Sequence, residues 1–245
     1  PMAVASVLSQ LAGNGPAMRA PIIGVAIDDM QALRALVRAS TRLTHTDPKA
    51  EFGALAAALA AHMASRQACV SGDDFLSQLK VQLMGDGEDF LALMATAVQA
   101  ANQHQTTQEF AAALGLTKGI SGYILHTLPV VIHAWLTHQN DFRAAIIAIV
   151  ECGGDTDSTA AVLGGILGAS CGLEGIPTDW KDNLLEWPRS LTWMMQLGMA
   201  LGEAPVSKNA NPKIPELFLI TVLIRNIFFL GVVLFHGFRR LLPPY

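Results

Sequence analysis

The sequence predicts an all-α protein of many helices, and three observations carry that reading. Alanine, leucine and glycine dominate, while β-branched and aromatic residues are few before about residue 216, a composition that favours helices over strands. Apolar residues recur at the three-and-four spacing of a helix. No segment alternates as a half-buried strand would.

Taken in order, Met30, Leu33, Leu36 and Val37 mark one helical face, Phe52, Leu55, Ala56 and Leu59 a second, and Phe75, Leu79 and Leu83 a third. Helix starts carry side chains able to accept from the exposed first-turn N–H groups: Asp28 or Asp29, then Asp73 or Asp74, then Thr106 or Thr107. The acidic pairs are read as caps. Gly115, Gly119 and Gly122 loosen the chain before the apolar stretch 123–136, inside which Pro129 must open a helix or kink one. Gly164, Gly165 and Gly168, interleaved with alanines, leave a nearly side-chain-free helix face suited to close packing. The polar, proline-containing stretch 204–215 is expected to be a linker between a main domain, 1–203, and a tail, 216–245.

That tail contains Leu217–Phe235, LFLITVLIRNIFFLGVVLF, interrupted only by Thr221, Arg225 and Asn226. A bilayer span needs about 20 residues. A central arginine costs roughly 2.5 to 3.5 kcal/mol on insertion scales, which the surrounding apolar residues can offset. Membrane contact and burial against protein, including a second subunit, both remain open for 217–235.

Composition sets the outer limits. A chain of 245 residues with 51% hydrophobic content can bury one sizeable core. Its net charge of -4 and dispersed basic residues argue against a nucleic-acid surface. Cys69, Cys152 and Cys171 are odd in number and form no Cys-x-x-Cys pair, so neither a zinc knuckle nor a disulfide framework is indicated and a reducing compartment fits best. Cys152 has no basic neighbour in sequence to activate it. No secretory signal is visible. A cytoplasmic location follows, with membrane association through the tail as the second expectation. The start at Pro1 is read as that of a fragment.

The residues richest in chemistry are Gly153–Thr159, GGDTDST, directly before a helix-like run. The glycines allow a tight turn, and the side-chain oxygens of Asp155, Asp157 and Ser158 can then wrap one or two hard cations. Magnesium or manganese suits such a donor set. The plainer alternative is that Asp155 or Asp157 only caps the helix. An EF-hand loop is excluded, because Ala160 stands where its glycine is required and Ile166 where its glutamate is required. Gly13, Asn14 and Gly15 form a loop whose N–H groups can approach a pyrophosphate, although GNG alone is only a turn signal. Arg19 could contact phosphate or brace that loop, and His45 could donate to a ligand or serve as a structural hydrogen-bonding group. Tyr123 could border a ribose or belong to the core. His126 and His133 are read as structural.

The stretch from Asp141 to Ala169 resembles the carboxy-terminal signature of the ADP-ribosylglycohydrolase family, which includes the dinitrogenase reductase activating glycohydrolases and the J1 crystallins. GNGPAMR (Gly13–Arg19), LTHTDP (Leu43–Pro48) and GYILHTLPVVIHAWL (from Gly122) match further family segments in the right order. Ser158 stands where the family most often has threonine and keeps the hydroxyl. The resemblance implies an orthogonal helical bundle of that type, lacking its first helices and carrying an extra apolar C-terminal helix. Residues 1–203 would form the C-terminal two thirds of the domain.

The resemblance also implies a hydrolase that removes ADP-ribose from a modified protein, or from an ADP-ribose-like small molecule, with two Mg2+ or Mn2+ ions. It makes Asp155, Asp157 and Ser158 metal ligands. Gly13, Asn14, Gly15, Met18, Arg19, His45, Tyr123, Gly153 and Gly154 become substrate contacts. The family's early Thr-Asp-Asp ligand motif does not occur in this sequence, and the pairs Asp28–Asp29 and Asp73–Asp74 are not substitutes for it. The catalytic base is therefore unassigned, and a catalytically silent binding or structural relative is the competing expectation.

Overall fold

The Pro48–Ala64 helix is the part around which the others are arranged, and its sequence explains why. Alanine is its commonest residue, and twelve of its residues are buried, spread over all its faces. A helix apolar on every side needs neighbours on every side. The computed structural model describes residues 12–203 and 213–240, and the chain forms two compact units that divide between Pro177 and Thr178.

In the first unit the helices are α1 (Gly15–Ala26), α2 (Met30–Arg42), α3 (Pro48–Ala64), α4 (Gly72–Leu83), α5 (Glu88–Asn102), α6 (Thr107–Ala113), α7 (Ile124–Thr137), α8 (Phe142–Glu151) and α9 (Thr156–Gly175), the last interrupted by a non-helical Gly172. The second unit holds α10 (Thr178–Asp182), α11 (Leu191–Glu203) and α12 (Leu219–Arg239). No strand occurs among the described residues, only two isolated bridges, so the all-α expectation holds. The expected linker 204–215 falls largely outside the described residues, and 213–218 have no regular structure.

Close packing rests on small residues. A Cβ at Gly24 of α1 would fall 2.0 Å from the Ala58 carbonyl oxygen of α3, so those helices approach too closely for any side chain there. At Gly53 an added Cβ would meet the Ile124 side chain at 2.2 Å, which fixes α7 on another side. Large residues fill the periphery of this core: Phe75 meets Trp135 edge to face at 5.6 Å, a pair worth about 0.5–1.5 kcal/mol beyond its burial. His133, buried on α7, stacks on Phe110 at 4.8 Å.

Some local expectations are corrected. Leu36 is 46% exposed, whereas Leu33 and Val37 are buried. Asp29 caps α2 by accepting from the Ala32 N–H, and Thr106 forms a capping box with Glu109, but Asp73 and Asp74 do not cap α4. Its N-cap is Ser71, and the two acids lie in the first turn, where the helix dipole favours them. Pro129 falls inside α7 rather than opening it. Of Gly164, Gly165 and Gly168, Gly165 alone is tight, since a Cβ there would lie 3.0 Å from Pro21 of α1; Gly168 faces open space.

Candidate active site

Three helix starts adjoin one another around the five residues Ile120–Ile124. The N-cap residues of α1, α7 and α9 are Asn14, Tyr123 and Asp155. An antiparallel bridge pairs Gly13 with Tyr123, closed by Asn14 N–H to the Gly122 carbonyl (2.9 Å) and Ile124 N–H to the Ala12 carbonyl (2.8 Å). A parallel bridge pairs Ile120 with Gly154, closed by Ile120 N–H to the Gly153 carbonyl (3.0 Å) and Asp155 N–H to the Ile120 carbonyl (2.7 Å). Two loops more than a hundred residues apart are thus joined through one short segment. Helix N-termini carry positive partial charge, so this junction favours anions.

Glycine is required at the second loop. Gly154 has φ +82°, and a Cβ there would lie 2.1 Å from the Ile120 carbonyl oxygen. Gly153 is likewise left-handed, and the facing Gly119 would meet the Gly154 backbone at 2.5 Å if it bore a side chain.

Asp155 stands at the N-cap of α9 with no capping hydrogen bond of ordinary geometry, although the Ser158 backbone N–H still helps to hold its carboxylate ionised. Its Oδ2 accepts from the Asn14 amide at 2.8 Å. The other amide N–H of Asn14 is donated to the Thr127 hydroxyl (3.1 Å), which in turn donates to the Ser121 carbonyl (3.1 Å). Burial opposes ionisation of Asp155, but hydrogen bonds from the Asn14 amide and from Ser158 outweigh it and hold the carboxyl below its usual range. Asp157 is exposed in the first turn of α9, and Ser158 beside it is half-buried.

The first loop is braced from behind. Arg19 donates to the Gly15 carbonyl (3.1 Å), the Ser40 hydroxyl (3.0 Å) and carbonyl (2.8 Å), and the Thr44 hydroxyl (2.7 Å), so most of its donors are committed within the protein. His45 lies against Gly13 and Gly15, and its Nδ1 pairs with the Thr44 hydroxyl at 2.8 Å. Burial, then the Arg19 charge, lowers the His45 pKa and favours the neutral ring near pH 7. Met18 is 43% exposed on α1, and its backbone N–H donates to the Asn14 carbonyl at 3.2 Å. Tyr123 is half-buried and packs edge-on against His126 at 5.1 Å.

Thr127 and Ser121 escaped sequence reasoning, which took His126 as structural. His126 Nδ1 pairs with the Ser121 hydroxyl at 2.8 Å beside Tyr123, and the SGY turn before α7 was the available signal. Burial, then Glu151, raises the Cys152 thiol to about 11, which disfavours the nucleophilic thiolate.

The donor set suits a hard divalent cation in part. Asp155 is held ionised, and Asp157 and Ser158 carry further side-chain oxygens in the same turn that could serve a cation. Among the described residues no group of three or more His, Cys, Asp or Glu side chains converges, so this loop offers part of a coordination shell.

Comparison with known proteins agrees with this geometry. A family model for ADP-ribosylglycohydrolase matches residues 3–210. The chain is 30% identical over 197 residues to ADP-ribosylhydrolase ARH3 of Gallus gallus, covering 70% of this chain and 53% of that protein. It is 29% identical over 174 residues to the ADP-ribosyl-[dinitrogen reductase] glycohydrolase of Rhodospirillum rubrum, covering 71% and 51%. A shorter match, 40% identical over 70 residues, joins it to the ADP-ribosylarginine hydrolase Tri1 of Serratia proteamaculans, covering 28% and 19%. The chain spans about half the length of the ARH3 and dinitrogen reductase relatives. By the extent of these matches, the chain belongs to the ADP-ribosylglycohydrolase family.

Proposed function

We propose that this chain supplies the glycine-loop and acidic-loop parts of a metal-dependent hydrolase that cleaves the N- or O-glycosidic bond between ADP-ribose and a protein side chain. The observation that carries this reading is the junction itself, where Gly13–Gly15 and Gly153–Ser158 are pinned to the Ile120–Ile124 segment. The Gly13–Gly15 loop and the start of α1 favour the pyrophosphate of ADP-ribose. Neutral His45 can present its ring to that ligand without adding a fixed charge, while Arg19 keeps the loop in shape. Asp155, Asp157 and Ser158 would hold Mg2+ or Mn2+, and Asn14 fixes the Asp155 carboxylate for that role. When bound, the metal supplies Lewis-acid activation of water and a template for the ribose. The resemblance leads us to expect two ions in an intact site, with an ADP-ribosylated protein or an ADP-ribose-like small molecule as partner.

A second reading, a silent ADP-ribose-binding relative, is favoured by the partial donor set of the acidic loop. Calorimetric titration with Mn2+ and with ADP-ribose, followed by an assay for ADP-ribose release from a modified protein, separates the two. Asp155→Asn and Asp157→Asn are each expected to weaken Mn2+ binding more than about 100-fold with the fold intact, since removing a ligand exceeds the effect of removing its support. Unchanged Mn2+ affinity in both variants would overturn the ligand assignment. Tight ADP-ribose binding without release would favour the silent relative.

A further inference from the structure

We infer that α12 inserts into a lipid bilayer, an inference independent of the hydrolase reading. The helix has 21 residues, none of them buried, and extends about 31 Å at 1.5 Å per residue, matching the roughly 30 Å hydrocarbon core. Length alone does not choose lipid over protein, but the distribution of side chains does. At about 100° per residue, Thr221, Arg225, His236 and Arg239 fall within one strip about 60° wide. The rest of the circumference is apolar apart from Asn226, and its leucine, isoleucine, valine and phenylalanine side chains are each at least 36% exposed except Val222, which is half-buried. A partner helix or groove covers one stripe of about 100°. A surface apolar over nearly the whole circumference is covered all round by lipid.

A second observation points the same way. Arg225, the charge within the span, is paired with Glu186 at 3.0 Å and lies over the Phe229 ring at 5.1 Å. Glu186 stands between Leu185, 96% exposed, and Trp187, 52% exposed, which share a cleft with Phe228 and Phe229. Arg225 lies about 9 Å inside the N-terminal end of the span, where pairing with Glu186 and contact with the Phe229 ring lower the cost of its charge. Arg239 and Arg240 at the other end add attraction for anionic lipid.

The test is flotation of the full chain with phosphatidylcholine–phosphatidylglycerol vesicles, repeated after alkaline carbonate extraction. Two paired substitutions address faces about 160° apart: Leu230→Lys with Val233→Lys, and Ile224→Lys with Phe235→Lys. The wild type should float, and each pair should lower the floated fraction at least about fivefold. A Leu230→Ala, Val233→Ala pair, which keeps the helix apolar, should float like the wild type. Wild-type protein remaining in the soluble fraction overturns the inference. So does a pattern in which one face alone matters and a defined oligomer dissociates, since that marks a surface covered by a second copy.

Discussion

The helices α3 and α12 are both apolar around nearly their whole circumference, yet α3 has twelve buried residues and α12 none. Side-chain size separates them. Alanine and glycine make α3 a thin rod that neighbours approach to backbone contact, so its burial is shared among several helices. Leucine, isoleucine, valine and phenylalanine give α12 a thick, irregular coat that a fluid solvent covers more readily than fixed neighbours. Hydropathy alone would have sent both to the same environment.

The strongest way to break this contrast is to thicken the contact on α1. Gly24→Val should destabilise the first unit by at least about 3 kcal/mol, a fall in Tm of roughly 6–12 °C, because the added carbon meets the Ala58 backbone rather than a movable side chain. Calorimetry of the variant checks this, and an unchanged Tm would show that α1 and α3 are not so close.

Next in size is the response of the protein-lined interior to charge. Burial of His133, then the charge of His138, depresses its pKa to about 4 from the ordinary 6.5. A lowered folded-state pKa means that protons prefer the unfolded chain. The stabilising contribution is therefore complete above 6.5 and is lost as pH falls from 6.5 towards 4, up to about 3 kcal/mol. Denaturant melts from pH 7 to 4 should show this decline, and His133→Leu should flatten it.

The smallest effect belongs to α12. Its lysine-pair variants should leave the thermal unfolding of the first unit within about 0.5 kcal/mol of wild type, because they remove no buried contact. A larger shift would show that α12 has a structural duty towards the protein.

The fold was legible in the sequence wherever a helix shows one apolar and one polar face. Leu33 with Val37 and Phe75 with Leu79 identified core faces through periodicity alone. Leu36 went astray because an aliphatic residue at the edge of a stripe can stay in water at little cost. Ser71 was passed over for Asp73 and Asp74, since two carboxylates in a first turn read as caps but gain as much from the dipole. At the site, Asp155 and the GNG loop could be named from local pattern and resemblance. Their meeting could not. It depends on backbone bonds to Gly122 and Ile120 and on an amide shared between Asp155 and Thr127, contacts between residues far apart in the chain that leave no mark at fixed spacing.

The seat of His45 beside Gly13 adds a consequence for any search among variants. Gly13 does not have the left-handed backbone that would demand glycine, yet a methyl there would lie 2.8 Å from the far edge of the His45 ring. That ring can swing aside, unlike the backbone opposing Gly24. Position 13 therefore acts as a gauge block for the imidazole: enlarging it displaces the ring while sparing the scaffold. Stability screens would pass such a substitution, and ligand-binding screens would reject it.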